Sequence, residues 1–527
     1  MSEPADGGAP KSTEAPLVHP VSAHTDRPRS LSKSKLLAFR QCERRLWLEV
    51  HRVDLKMDSA SAQARFNVGH EVGDLARQQY DPERRGVLID AQVEGFASAL
   101  QRTGSLLESN QPIFEAGFAA AGAIAFADVM VPVDVDGQRI WRMVEVKSST
   151  GVKDYHRDDV AVQAYAARNA GLSLASIALA HVDSSWVYPG EGNYDGLLKE
   201  VDLTAEALAK AAEVQTWIHD AQAVVREPTE PKRATGAHCR SPFECGFIDY
   251  CGASEPQAEF PVAWLPRVQA KALKAHLAQP GVIDMRDVPD RLLNATQLRV
   301  KTQTVQGAAW FDSAGATKAL KKHQSTLYFL DFETIQFAVP IWAGTKPYQQ
   351  IPFQFSMHRL QPGGSLEHRE FLDVSGGDPS AAFVRALVEA CGTSGAVFVY
   401  NAGFEKGRMK ELAVRFPSFK PALEGLANRV VDLLPVAQAY FYDPSQQGSW
   451  SIKKVLPAVV PELRYDALDG VQDGTAAMNA YAEAISPATT AERKDEVGKQ
   501  LLAYCALDTY AMVRLWQVFA GRLDLQL

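Results

Sequence analysis

The stretch Thr326-Leu-Tyr-Phe-Leu-Asp-Phe-Glu-Thr334 decides the fold of the second half of the chain, because it joins a strand signal to two carboxylates near the strand's end. Side chains alternate between the two faces of a strand. Asp331 and Glu333 therefore project to one side, and Tyr328, Leu330 and Phe332 to the other. Neighbouring carboxylates repel, and a protein that aims two of them at one spot usually places a cation between them. The pair predicts a metal site, with a solvated strand end as the bland alternative.

The far end of the chain adds to it. From about Glu492 to Gln517 the residues Leu501, Tyr504, Cys505, Asp508, Met512 and Leu515 recur at three- and four-residue steps, which predicts a helix with Asp508 on its apolar stripe. A carboxylate buried there needs a proton, a basic partner or a metal. Tyr504 lies one turn earlier on the same face. Between these segments, Asn401-Ala-Gly-Phe404-Glu405 closes the apolar run Ala396-Val-Phe-Val-Tyr400.

Together the three segments resemble the motifs of the DEDDy 3′–5′ exonucleases, which have an RNase H-like fold. The resemblance implies that Asp331, Glu333, Glu405 and Asp508 hold two Mg²⁺ or Mn²⁺ ions and that Tyr504 orients the attacking water. The family carries Asp where this chain has Glu405. The extra methylene moves the oxygens by roughly an ångström, a misplacement that can cost about two orders of magnitude in rate. A nucleic-acid binding or scaffolding protein with a non-cleaving RNase H-like half is the rival expectation.

A chain of 527 residues predicts more than one domain, and its composition is that of a globular protein. The net charge of −8 argues against coating a polyanion along its whole surface, while leaving room for local basic grooves. No apolar run is long enough to span a bilayer and no signal-peptide core opens the chain, so a cytoplasmic location is expected. In that compartment the six cysteines are expected as metal ligands or small buried hydrophobes. Residues 1–30, rich in Ser, Pro, Ala and Gly, are expected to form a disordered tail. A first α/β domain is expected over 31–256, a helical connector over 257–325 and a second α/β domain over 326–527.

Within the first domain, Ser32 or Ser34 can cap a helix running toward Cys42. Arg142-Met-Val-Glu-Val-Lys-Ser148 alternates as a strand with Met143, Glu145 and Lys147 on one face. Upstream, Ile124, Phe126, Asp128 and Met130 are expected to share a face, and Glu115 lies further back. Two acids and an ammonium suit metal-assisted phosphoryl chemistry, whereas Glu-x-Lys by itself is also an ordinary surface pair. Ser32-x-Ser34, Gly122 to Asp128, Glu145-Val-Lys147 and a following helix with Gln163 and Tyr165 resemble the PD-(D/E)XK nucleases of the RecB type. That resemblance implies a restriction-endonuclease-like fold with Asp128 and Glu145 as metal ligands and Lys147 as the catalytic ammonium. Two departures are His70, three residues before the expected position, and the compressed Gln163-x-Tyr165.

Cys239, Cys245 and Cys251 fall in one short segment and want a fourth thiol. Four thiolates suit a 4Fe-4S cluster or Zn²⁺, and the spacing lacks the close Cys-x2-Cys pairs usual for zinc. Iron-sulfur members of the RecB-type group place a cysteine where Cys42 stands, so the resemblance implies a 4Fe-4S cluster on Cys42, Cys239, Cys245 and Cys251. Cys391 and Cys505, on apolar segments, are expected in the core.

Arg299, Lys301, Lys318, Lys321 and Lys322 of the connector could line a nucleic-acid path or form a solvated face. The segment from Trp342 to Ser356 could stack bases or, around Phe353 and Phe355, form a plain strand. Asp-Phe-Glu-Thr with Pro-Phe-Gln-Phe-Ser resembles a bacterial family of uncharacterised proteins in which a RecB-like half precedes an RNase H-like half. Ser449 to Leu456 resembles the segment that holds the substrate strand in DEDD exonucleases, with Lys453 or Lys454 on phosphate. The expectation is a two-site, metal-dependent nuclease acting on DNA, with RNA as the second candidate.

Overall fold

The computed structural model describes residues 30–58, 60–323 and 325–525; the expected tail over 1–30 lies, but for Ser30, outside them. The fold is α/β with two main mixed sheets. Among the described residues no helix is long and apolar enough to cross a membrane.

The first sheet is built from β1 (Leu31–Ser32), β2 (Val87–Leu88), β3 (Ile113–Ala120), β4 (Ala123–Val135), β5 (Gln138–Lys147), β6 (Leu174–Val182) and β7 (Leu198–Asp202). Its order is β2-β3-β4-β5-β6-β7, with β1 pairing in parallel with β4. Two-residue turns at Ala121-Gly122 and Asp136-Gly137 make β3–β5 an antiparallel meander; both residues of each turn have positive φ, which matches the twist of the flanking strands. β5 and β6 are parallel and so need a crossover, supplied by the helix Asp154–Asn169. Ser32 caps the helix Lys33–Gln41 by accepting the Lys35 N–H, and Cys42 separates it from the helix Glu43–His51.

The alternation expected on β4 shifts partway along. Ala123, Ala125 and Ala127 pack in the same core as Met130, and on β3 Ala116 and Phe118 join Ile113 there, so the facing shifts near Asp128 and Glu115. These two residues fall opposite each other in the β3–β4 register, and Glu115 has φ +57°. A non-glycine residue at positive φ inside a strand is a strained exception, and such exceptions gather at functional sites.

The rest of the chain carries β8 (Trp310–Phe311), β9 (Leu327–Ile335), β10 (Ile351–Leu360), β11 (Leu366–Leu372), β12 (Ala396–Val399), β13 (Val430–Asp432) and β14 (Phe441–Tyr442). The second main sheet has the order β11-β10-β9-β12-β13, with β9, β10 and β11 antiparallel and β12 and β13 running parallel to β9. Tyr328, Leu330 and Phe332 pack under the helices Ser380–Cys391, Gly403–Arg415 and Lys420–Asn428. Leu327 and Phe329 pack on the other side with the helix Ala491–Phe519, the side that Asp331 and Glu333 share. β8 pairs with β14, and Leu273, Met285 and Val300 from the stretch before β8 are buried in the same core as Phe329 and Trp516.

The segment between β9 and β10 fastens the second half to the first. Tyr188 donates its N–H to the Thr345 carbonyl at 2.9 Å and accepts from the Gly344 N–H at 2.8 Å. Tyr194 Oη donates to the Pro340 carbonyl at 3.2 Å, and Tyr348 Oη donates to the Ser148 carbonyl. Ala338 and Val339 are buried against Val72, Leu75, Val182 and Leu197. An open base-stacking platform is thereby overturned for this segment: Trp342 is buried with its Nε1–H on the Gly376 carbonyl, and Phe353 and Phe355 are core residues of β10.

Candidate functional site

In the second half, β9 delivers Asp331 and Glu333 to the buried side facing the Ala491–Phe519 helix, whose period brings Tyr504, Cys505 and Asp508 to meet them. One carboxylate oxygen each of Asp331 and Glu333 and the Cys505 Sγ lie within 4.8 Å of one another. Asp508 Oδ1 accepts from Tyr465 Oη at 2.5 Å, and the Tyr504 hydroxyl and Asp508 act on each other's charge. Glu405 enters from the first turn of the helix Gly403–Arg415. That turn is set by Asn401, at φ +79°, and by Asp432, whose carboxylate accepts the Asn401 and Ala402 N–H groups at 3.0 Å each.

Burial without enough compensating charge raises every acid of this group. Asp331 is held well above the ordinary carboxylate range by burial and then by the charges of Asp508, Glu333 and Glu405. Glu333 is pushed up to about 8 by burial and Asp508, and Asp508 to about 6 by burial. Burial pushes Glu405 to about 8; it is 2 % exposed, and its Oε2 has no hydrogen-bond partner among the described residues. Lys453 offsets part of this charge. Its Nζ lies 5.2 Å from the Tyr465 ring centre and 5.1 Å from that of Tyr504, and it donates to the Gln472 carbonyl at 2.6 Å. Four acids with one nearby ammonium form a donor set that suits divalent cations.

The first half gathers a second set. Asp128 Oδ2 accepts the Val146 N–H at 2.7 Å, and Glu145 Oε1 pairs with Lys147 Nζ at 2.5 Å. Two residues the sequence reading missed complete it: Lys33 Nζ lies 3.0 Å from both Glu145 Oε1 and Asp159 Oδ1, and Lys147 Nζ 2.5 Å from Asp159 Oδ2. Gln163, one turn beyond Asp159, donates to Glu145 Oε2. Burial would raise Glu145, but the Lys147 and Lys33 ammonium groups hold it below the usual carboxylate range. Asp128 is held well above that range by burial and by the Glu145 charge. The signal for Asp159 was present: His156, Asp159 and Gln163 form a buried polar stripe at helical spacing on Asp154–Asn169. Lys33 had no such signal, because its partners come from a strand and a helix over a hundred residues away.

His70 is exposed in the helix Ala60–Tyr80, and its charge acts on Glu115. Of the connector's basic residues, Arg299 lies 3.6 Å from the Trp310 ring centre and bonds to the Gln438 carbonyl, and Lys301 is tied to Asp290 and the Val288 carbonyl. Those two are engaged within the fold; Lys318, Lys321 and Lys322 are exposed.

Cys42, Cys239, Cys245 and Cys251 are free, buried, and line one pocket with Arg44, Arg45 and His238. Burial raises Cys245 and pushes Cys251 up to about 11. A single zinc at ~2.3 Å from each sulfur would draw the sulfurs to about 3.8 Å of one another. Among the described residues no three of these sulfurs lie within 4.8 Å of each other. Cys391 and Cys505 are both buried in the core as expected, and Cys505 also sits against Asp331, with Sγ 3.8 Å from its carbonyl oxygen and 3.9 Å from Oδ2.

Fold and site thus define a mixed α/β protein with two buried clusters of acids, one at each main sheet. Residues 328–451 match the family model described as a domain of unknown function, DUF2779. This stretch takes in Asp331, Glu333 and Glu405 and stops short of Tyr504 and Asp508. No curated protein matches the chain.

Proposed function

We propose that the chain is a metal-dependent nuclease that hydrolyses phosphodiester bonds of DNA, with RNA as the alternative substrate. The observation that carries this reading is the meeting of Asp331, Glu333, Glu405, Tyr504 and Asp508, from three separate segments, in one buried group with too few cations to neutralise it. The strand order β11-β10-β9-β12-β13, with only β10 antiparallel to both of its neighbours, supports an RNase H-like second half. The joined Asp128, Glu145, Lys147 and Gln163 support a PD-(D/E)XK-like first half.

Asp331, Glu333, Glu405 and Asp508 would hold Mg²⁺ or Mn²⁺ in the second half, and Asp128 and Glu145 in the first. When bound, these ions supply Lewis acidity at the scissile phosphate and lower the pKa of water. Tyr504 Oη, near Asp508, would orient a water, and Tyr465 holds that carboxylate through Oδ1. Lys147 Nζ brings positive charge to the first site, where phosphorane charge would develop. The four-cysteine pocket would hold a 4Fe-4S cluster, which supplies a covalent clamp between the opening helices and the segment after Gly236.

The test is digestion of end-labelled single- and double-stranded DNA and RNA by anaerobically purified protein, with Mg²⁺ or Mn²⁺ and with EDTA. Cleavage that needs the metal and is lost when both acid sets are neutralised supports the reading. Binding without cleavage under every metal condition overturns it in favour of the binding protein that the long Glu405 side chain would produce.

A further inference from the structure

We infer that Cys505 is a metal ligand of the second site and gives it a preference for thiophilic cations such as Zn²⁺, Co²⁺ or Cd²⁺ over Mg²⁺. This rests on the reading of that site as a metal site, but not on any cleavage by it. A cysteine on the apolar stripe of a long helix ordinarily packs among hydrophobes; the Cys505 Sγ instead meets the acid pair of β9, its hydrogen-bond partners being the carbonyl and carboxylate of Asp331.

The spacing suits shared ligation. An ion about 2.3 Å from a sulfur and ~2.1 Å from a carboxylate oxygen, in tetrahedral geometry, sets those atoms about 3.6 Å apart. The observed separation is 3.9 Å between Cys505 Sγ and Asp331 Oδ2, and the Glu333 oxygen completes the group within 4.8 Å. Glu405 provides an independent sign of a ligand site: its Oε2 is buried and unpartnered among the described residues, and its charge bears on Asp331. Thiolate is a soft ligand and carboxylate a hard one. A mixed set therefore shifts selectivity toward borderline and soft ions, where an all-oxygen site favours Mg²⁺ and Mn²⁺. On ligation the Sγ–metal bond forms as the thiol proton passes to solvent, alongside the protons that the raised carboxyl groups give up as they ligate.

The test uses the full-length protein with its four-cysteine pocket already loaded, so that those thiols do not compete. Co²⁺ is titrated into the parent, Cys505→Ser, Asp331→Asn and Glu145→Gln while thiolate-to-cobalt absorption is followed, and Cd²⁺ is competed against Mn²⁺. The absorption is expected in the parent and in Glu145→Gln and absent from the other two. Cys505→Ser should weaken Cd²⁺ on the order of 100-fold while changing Mn²⁺ affinity by less than about threefold. Cys505→Ala serves where the serine variant does not fold. A cysteine variant that keeps both the absorption and the Cd²⁺ preference overturns the assignment. So does a parent that binds Mn²⁺ at Asp331 without thiolate absorption from Co²⁺. Neither result bears on whether the protein cleaves nucleic acid.

Discussion

Replacing Asp508 by Asn separates a carboxylate retained for metal from one retained for structure, since the two side chains have nearly the same shape. Burial moves the Asp508 pKa from 3.8 to about 6. A raised acid pKa means that the folded state resists losing the proton. The penalty is absent below the unfolded value, grows as pH rises from about 4 to about 6, and is constant above that. At ~1.4 kcal/mol per unit, the ionised side chain costs roughly 3 kcal/mol at neutral and alkaline pH in metal-free protein. Asparagine keeps an acceptor for the Tyr465 hydroxyl, which lies 2.5 Å from Asp508 Oδ1, and the strength of that bond to the carboxylate is already contained in the net shift. The expected balance is a gain of about 3 kcal/mol at pH 8 with EDTA, shrinking toward zero near pH 4. Saturating Mn²⁺ should reverse the order, because ligand at about 1,000 times its Kd adds about 4.1 kcal/mol to a parent that binds it and little to the variant. Denaturant unfolding at both pH values, with EDTA and with Mn²⁺, measures all four quantities. A variant less stable than the parent at pH 8 without metal, or stabilised equally by Mn²⁺, would refute the reasoning.

Tyr504→Phe should leave Mn²⁺ affinity within about threefold and slow single-turnover hydrolysis by 10-fold or more, since it removes only the hydroxyl near Asp508. Anaerobically purified parent should contain iron, and Cys42→Ser should lose it and unfold more readily; stoichiometric zinc in the parent would count against the cluster. Glu145→Gln with Lys147→Ala should abolish one cleavage activity and Asp331→Asn with Glu333→Gln another, because the two sets lie on different sheets; loss of all cleavage from either pair, with melting unchanged, would leave a single working site. Tyr348→Phe removes the hydroxyl bond to the Ser148 carbonyl and should cost about 1 kcal/mol, read as faster limited proteolysis between the halves.

The periods of strand and helix were sufficient to determine part of the candidate site from sequence. Alternation put Asp331 and Glu333 on one face of β9, and a 3.6-residue repeat put Tyr504 and Asp508 on the inward face of the last helix, because both patterns depend only on local backbone geometry. The tertiary structure decided what no local pattern encodes. Lys33 and Asp159 join Glu145 and Lys147 because β1 and the Asp154–Asn169 helix pack against the same sheet. The facing of Asp128 is set by an irregularity shared with Glu115 on the neighbouring strand, and a backbone distortion of that kind breaks the alternation from which faces are read. Cys505 and Asp508 sit on the same helical stripe, and only the strand that meets them turns an apparent core thiol into a neighbour of acids. The aromatics of the segment after β9 were legible as residues with surface to bury, but not as to where. Tyr348 packs with the loop between β6 and β7, more than a hundred residues earlier in the chain, while Trp342 reaches the Gly376 carbonyl, and burial depends on those partners rather than on the aromatics' own spacing.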